Sequence, residues 1–137
     1  MADHRVHTVD VRVRFSEIDA YGHVNHAAYL PMFEHGRVEM LAEAGASLAD
    51  IRAGGHLLIV AELTTRYLAA AELADELTIR TWIGRLARTT CVFEQHLVRG
   101  DDVIARQSTK GAFCDLELAF RRITPEIAEA LEPWVAR

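Results

Sequence analysis

The sequence predicts an α+β fold in which a mainly antiparallel sheet covers one long helix. Three observations predict it. A single long helical pattern, Ala27 to Ala44, follows a first strand-like run. Four further strand-like runs then succeed one another almost to residue 116. The connections late in the chain are of hairpin length, which suits antiparallel neighbours, whereas parallel strands need long crossovers. The helix carries an apolar stripe that has to be covered, and the sheet is the obvious cover.

In chain order, residues 9 to 15 alternate. Val9, Val11, Val13 and Phe15 fall on one face and Asp10, Arg12 and Arg14 on the other, the pattern of a half-buried strand. A polar stretch, Ser16 to His26, follows. From Ala27 the period becomes helical: Tyr29, Phe33, Gly36 and Met40 form a stripe at 3–4 spacing, widened by Leu30, Leu41 and Ala44. Pro31 requires either that the helix begin close to His26 or that its first turn be distorted, because deeper in a helix it removes a hydrogen bond. Gly36 costs about 1 kcal/mol relative to alanine in a helix interior, a cost tolerated where something packs close. Gly45 ends the helix.

Ser47-Leu-Ala-Asp50 reads as a capping box opening a short second helix that Gly54-Gly55 stops. The candidate strands are Leu57 to Tyr67, Glu76 to Leu86, Thr89 to Arg99 and Val103 to Asp115, with Gly100-Asp101-Asp102 as a hairpin turn. Thr124-Pro125-Glu126 supplies an N-cap, a proline at the first position and an acid on the helix dipole. The short helix they open carries Ile127, Leu131 and Trp134.

At 137 residues the chain is expected to be a single domain, 1–137, large enough to bury a core without disulfides. The longest apolar run, Leu57 to Ala61, is far short of the roughly 20 residues a membrane span needs. The N-terminal residues lack the apolar core of a secretory signal. Cys91 and Cys114 stand apart, which argues against a disulfide framework or a CxxC site. A cytoplasmic protein with two reduced thiols is the expectation. Net charge is −5 with one lysine, Lys110, so nucleic acid is not expected as a partner, and with no apolar run long enough to span it neither is a membrane.

The junction between first strand and long helix carries most of the chemistry. Asp19, Gly22, His23, Asn25 and His26 lie within eight residues. Such junctions expose backbone N–H groups to ligands. Asp19 reads as a turn aspartate or as a reactive carboxylate. Asn25 is a helix cap or a donor to substrate. His23 is a donor holding the turn, and His26 is an orienting group or a packed or surface histidine. Metal binding by Asp19, His23, His26 and His35 has no regular zinc spacing behind it, and no G-x-S-x-G supports a serine hydrolase. Arg37, on an otherwise apolar helix side, calls for a partner, and Glu34 one turn earlier is the expected one.

A strand, then D-x-x-G-H-V-N-H (Asp19 to His26), then a helix with Y-L-x-x-F-E-x-x-R (Tyr29 to Arg37), then four long strands resembles the hotdog-fold acyl-CoA thioesterases of the 4-hydroxybenzoyl-CoA thioesterase type. The likeness covers roughly residues 7 to 117. Tyr67 and Ala74-Asp75 sit where that family has a strand tyrosine and a Gly-Asp turn. The resemblance implies a curved five-stranded antiparallel sheet wrapped around one long helix. It also implies subunits paired edge to edge as a homodimer or homotetramer, and acyl-CoA bound at the subunit interface. No metal or redox cofactor is implied.

By the same resemblance Asp19 is the catalytic carboxylate, attacking the thioester or deprotonating water, with His26 and Asn25 beside it. Backbone N–H groups around Asn25 to Ala28 would stabilise the oxyanion. Gly22, His23, Tyr29, Phe33 and Arg37 are the expected substrate contacts near the helix, with Met32, Leu58 and Val60 in the acyl pocket. Arg88, Thr89 and Lys110, and Arg85 near them, are candidates for gripping the phosphates or pantetheine of CoA. The same scaffold could instead serve an enoyl-thioester hydratase or dehydratase, or a non-catalytic acyl-thioester-binding module.

Overall fold

The computed structural model describes residues 3–137. Its five strands are β1 (His7–Arg12), β2 (His56–Tyr67), β3 (Glu76–Leu86), β4 (Thr90–Arg99) and β5 (Asp102–Asp115). They form one antiparallel sheet in the order β1-β3-β4-β5-β2. The helices are α1 (Tyr29–Ala44), α2 (Leu48–Ala53) and α3 (Pro125–Leu131). The sheet curves around α1, which is the hotdog arrangement.

β1 pairs with β3, setting Val9 opposite Ile79 and Val11 opposite Leu77. The strand stops at Arg12 rather than running to Phe15. A 3-10 turn takes Phe15–Glu17, and Phe15 is 81% exposed. Glu17 is the cause. Its carboxylate folds back to accept the Arg14 N–H at 2.8 Å, turning the chain off the sheet just after Val13.

A 3-10 turn, His26–Ala28, precedes α1. Pro31 therefore falls in the first α-helical turn, where its missing N–H costs little. Gly45, at φ +84°, closes the helix with its N–H on the Leu41 and Ala42 carbonyls. The buried residues of α1 follow the expected stripe: Tyr29, Met32, Phe33, Gly36, Met40 and Leu41, with Arg37 among them. At Gly36 the helix lies directly on the sheet. A Cβ there would sit 2.6 Å from Ile79 Cγ2, 2.8 Å from Gln95 Nε2 and 2.9 Å from Thr81 Oγ1.

Ser47 Oγ accepts the Asp50 N–H at 3.1 Å and opens α2. Thr124 Oγ1 does the same for α3 through the Ile127 N–H. The core divides in two along α1. One cluster gathers Val13, Val24, Tyr29, Phe33, Leu77, Ile79, Leu97 and Ile104 near the helix start. The other gathers Met40, Leu41, Ile83, Phe93, Phe113, Leu131 and Trp134 at its far end. Cys91 and Cys114 are buried free thiols, and burial pushes the Cys91 thiol up to about 12. Among the described residues no helix is long and apolar enough to cross a membrane.

β2 ends at one edge of the sheet, whereas β3 begins beside β1 at the other side. Residues 68–75 make that passage. Ala74 there holds φ +66°. A left-handed conformation costs an L-residue roughly 1–2 kcal/mol, partly offset by the greater freedom glycine has when unfolded. Ala74→Gly should therefore stabilise the protein by up to about 1 kcal/mol, read as a higher urea midpoint at unchanged slope. A lower midpoint would contradict this account of the turn.

Candidate active site at the start of the long helix

Asp19 sits half-buried in a tight turn. Its Oδ1 accepts the N–H of Tyr21 at 2.9 Å and of His23 at 3.2 Å. Its own N–H donates to the His23 carbonyl at 2.8 Å, and the Gly22 N–H returns to the Asp19 carbonyl. Gly22 turns the chain at φ +81°, a conformation glycine adopts without steric cost. Asp19 is thus a turn aspartate through one oxygen, while Oδ2 accepts no hydrogen bond from the described residues. A carboxylate so placed is oriented by its backbone and still has an oxygen available to a ligand.

The helix start is less open than expected. Asn25 is the cap: its Oδ1 accepts the Ala27 N–H at 2.9 Å, its carbonyl accepts the Ala28 N–H, and its own N–H goes to Glu17. Of the N–H groups from Asn25 to Ala28, only that of His26 has no partner among the described residues. The set expected for an oxyanion thus narrows to one, because Glu17, the Asn25 side-chain cap and the 3-10 turn take the others. The rings of His23 and His26 are exposed and make no hydrogen bond to the described residues. His23 does hold the turn, but through its backbone. The His26 carbonyl accepts the Tyr67 hydroxyl at 2.9 Å, tying β2 to the helix start.

The 68–75 passage forms the roof of this junction. The Val24 N–H donates to the Ala71 carbonyl, and the Ala71 N–H donates to the Tyr29 hydroxyl at 3.3 Å. Arg99 pins the passage from below, donating to the Ala70 carbonyl and to Asp75. The Glu72 N–H and this arginine hold the Asp75 carboxyl below its usual range. Tyr29 is buried with its ring edge-on to Tyr67, centroids 5.0 Å apart, and burial raises its phenol above the usual value. Phe33 is fully buried in the core. Within one chain it supports the site from behind and offers no surface to a ligand.

A groove lies between α1 and β2. One wall is the inner face of β2, where a bulge between Val60 and Glu62 leaves Val60 and Leu63 on the same side as Tyr67. All three are exposed. The other wall is α1, with Leu30 and Glu34 exposed and Val38 half-buried. Leu30, expected to widen the core stripe, faces this groove side, one turn before Glu34. The groove holds a cavity of about 100 Å³ whose lining includes Glu34, Arg37, Leu41, Leu58, Phe93 and Thr109.

Arg37 does not pair with Glu34. It is 8% exposed, and its Nη1 donates to Gln107 Oε1 at 2.6 Å, Gln95 Oε1 at 3.1 Å and Thr109 Oγ1 at 3.3 Å. Gln95, Gln107, Thr81 and Thr65 face one another across four strands as a polar row separating the two apolar clusters. Burial holds the guanidinium below its usual value, against a weaker opposing pull from the Glu34 carboxylate.

Residues 13–135 match the family model described as the thioesterase-like superfamily. The chain belongs to that superfamily. This thioesterase-like chain is 34% identical over 107 residues to the acyl-CoA thioesterase YbgC of Haemophilus influenzae, covering 77% of this chain and 79% of that protein. It is 33% identical over 104 residues to the acyl-CoA thioester hydrolase YbgC of Escherichia coli O6:H1, covering 76% and 78%. The crystal structure of a probable thioesterase from Bartonella henselae matches with a TM-score of 0.82 at 28% identity, over 88% of this chain and all of that one.

Other expected contacts of the thioesterase-like chain lie apart from Asp19. Arg88 and Thr89 occupy the β3–β4 turn, at the opposite end of β3 from the Asp19 junction. Lys110 is exposed on the outer face of β5, opposite Glu62. Their residue types alone did not reveal this separation. The Gln95–Gln107 row was missed in the sequence, although strand parity carried the signal. Cys91, Phe93, Gln95 and Leu97 alternate inward, so a glutamine at that parity marks a buried polar partner. Among the described residues no three His, Cys, Asp or Glu side chains are grouped as a metal site would need.

Proposed function

We propose that this chain is an acyl-CoA thioesterase, hydrolysing a thioester to the free carboxylic acid and CoA. The observation that carries the reading is an oriented carboxylate, Asp19, just before α1, whose Oδ2 is engaged by no described residue. Two steps are open to Asp19. It accepts a proton from the water that attacks the carbonyl, or it attacks the carbonyl itself to form a mixed anhydride that water then cleaves. In either case the sulfur leaves as thiolate and is protonated. The free N–H of His26 is the group we assign to the developing oxyanion, aided by the helix dipole.

The active unit in this reading is a dimer through β2. That strand is an edge twelve residues long with Ile59, Val60 and Leu63 exposed, the kind of edge that proteins cover or pair. Antiparallel pairing of β2 with its copy sets the Tyr67 end of one chain against the His56 end of the other. The partner's β3–β4 turn is carried toward this chain's Asp19 by the same operation. Arg88 and Thr89 then act in trans on CoA. Two free buried cysteines fit a cytoplasmic setting.

The test is thiol release from acyl-CoAs with short, medium, long and aromatic acyl groups. Release is expected for at least one class, and no release from any of them overturns the proposal. A hydratase would need a histidine set against the carboxylate, and among the described residues no hydrogen bond fixes the exposed His26 ring in that role.

A further inference from the structure

Arg37 takes no part in the proposed hydrolysis. An arginine nine-tenths buried is costly unless its charge is compensated, and structural burial of this kind normally comes with a carboxylate. Here Nη1 meets only neutral oxygens. Their orientation is not in question: Gln95 Nε2 donates to the Phe33 carbonyl at 2.8 Å and to Thr81, and Gln107 Nε2 donates to Thr65. A backbone carbonyl can only accept, so the amide oxygen of Gln95 must face the arginine. Among the described residues Nε and Nη2 have no hydrogen-bond partner. They are not sealed in the core either, since Arg37 lines the cavity in the groove.

The rest of the lining is mostly apolar, with Val38, Leu41, Leu48, Leu58, Val60 and Phe93, and its other polar members are Thr109 and Glu34. The two charged groups facing the cavity are Arg37 and Glu34. Glu34 also lines the cavity but is exposed, so water screens it, whereas Arg37 is buried. Two adjacent unpaired guanidinium nitrogens present the fork that matches a carboxylate in bidentate fashion. The volume, about 100 Å³, holds a carboxylate and the methylene beside it, or about three waters by liquid volume. Arg37 lies eight residues beyond Tyr29, about 12 Å along the helix axis. A medium-length acyl chain laid in the groove spans that distance.

We propose that the Arg37 cavity binds the terminal carboxylate of a dicarboxylic acyl group, so that the preferred substrate is a medium-chain ω-carboxyacyl thioester. This rests on the thioesterase reading and deepens it by naming the substrate class. The apolar walls along the groove take the methylenes, and Arg37 takes the far end, rejecting a plain methyl terminus by leaving its own charge uncompensated.

The experiment compares ω-carboxyacyl-CoA with alkanoyl-CoA of equal length, across short, medium and long chains. At the preferred length, kcat/KM for the ω-carboxyacyl member is expected to exceed its partner at least tenfold. Arg37→Met should collapse that ratio, and Arg37→Lys should restore part of it. In parallel, free dicarboxylic acids should raise the melting temperature of the wild-type protein more than matched monocarboxylic acids do. If Arg37→Met fails to fold, Gly111→Ala provides the second test. Its Cβ would lie 2.8 Å from Leu58 Cδ1, driving that side chain into the cavity, and the dicarboxylate effect should disappear. A dicarboxylate-specific melting shift without any thiol release would sink the thioesterase reading and leave the carboxylate site standing. Hydrolysis with no preference for ω-carboxyacyl at any length, or no dicarboxylate-specific shift, overturns the site itself.

Discussion

Replacing Asp19 by asparagine should lower kcat at least about 100-fold while KM changes little, the pattern of an interaction made only in the transition state. The substitution is nearly isosteric. An asparagine Oδ1 can still accept the N–H groups of Tyr21 and His23 and hold the turn, as asparagine does in Asx-turns. What it loses is Oδ2, the oxygen that no described residue engages. Nδ2 in its place cannot accept a proton from water or attack a carbonyl. The urea midpoint of Asp19→Asn should stay close to that of the parent, so the two effects separate cleanly. Asp19→Ala should lose activity and also stability, because the turn loses its acceptor. If Asp19→Asn raises KM and leaves kcat nearly untouched, Asp19 is a binding residue and the proposed mechanism is wrong.

The second large effect is on stability, at Gly36. Helix propensity favours Gly36→Ala by about 1 kcal/mol. The packing says the opposite. The new methyl would meet Ile79, Gln95 and Thr81 at 2.6–2.9 Å, closer than such atoms approach. Ile79 and Thr81 are fully buried on β3, and Gln95 is held by Phe33, Thr81 and Arg37, so none can retreat without loss elsewhere. Overpacking of this kind costs typically 1–3 kcal/mol, and here it also disturbs the amide that orients Arg37. A net destabilisation of about 2 kcal/mol is expected, measured by chemical denaturation. A stabilised Gly36→Ala would mean that α1 does not rest on β3 and β4 at this point.

The two predictions differ in how far the sequence alone could reach. For Asp19 the sequence carried both readings, turn aspartate and reactive carboxylate, and the structure divides them between the two oxygens of one side chain. Close packing at Gly36 was legible as a reason for a glycine inside a helix, but not which atoms press on it. Arg37 was legible as a charge needing a partner. Glu34, the partner within reach on the helix, was the wrong one, because the curvature of the sheet brings Gln95, Gln107 and Thr109 closer, from 58 to 72 residues away. Phe15 misled for a related reason. Its parity fitted the strand, but Glu17 ends the strand through a hydrogen bond that parity does not register.

What the sequence determined by itself is what neighbours along the chain decide. The turn at Gly22, the caps at Asn25, Ser47 and Thr124, the helical stripe of α1 and the alternation of the late strands all rest on hydrogen bonds or periodicities within a few residues. What only the tertiary structure decided depends on strand order and register. It sets β2 at an edge with its inner face open, holds Arg88 and Thr89 away from Asp19 within one chain, and gives Arg37 neutral partners and a cavity. Contacts between distant strands follow from how the sheet closes over the helix, and local residue patterns carry little of that information.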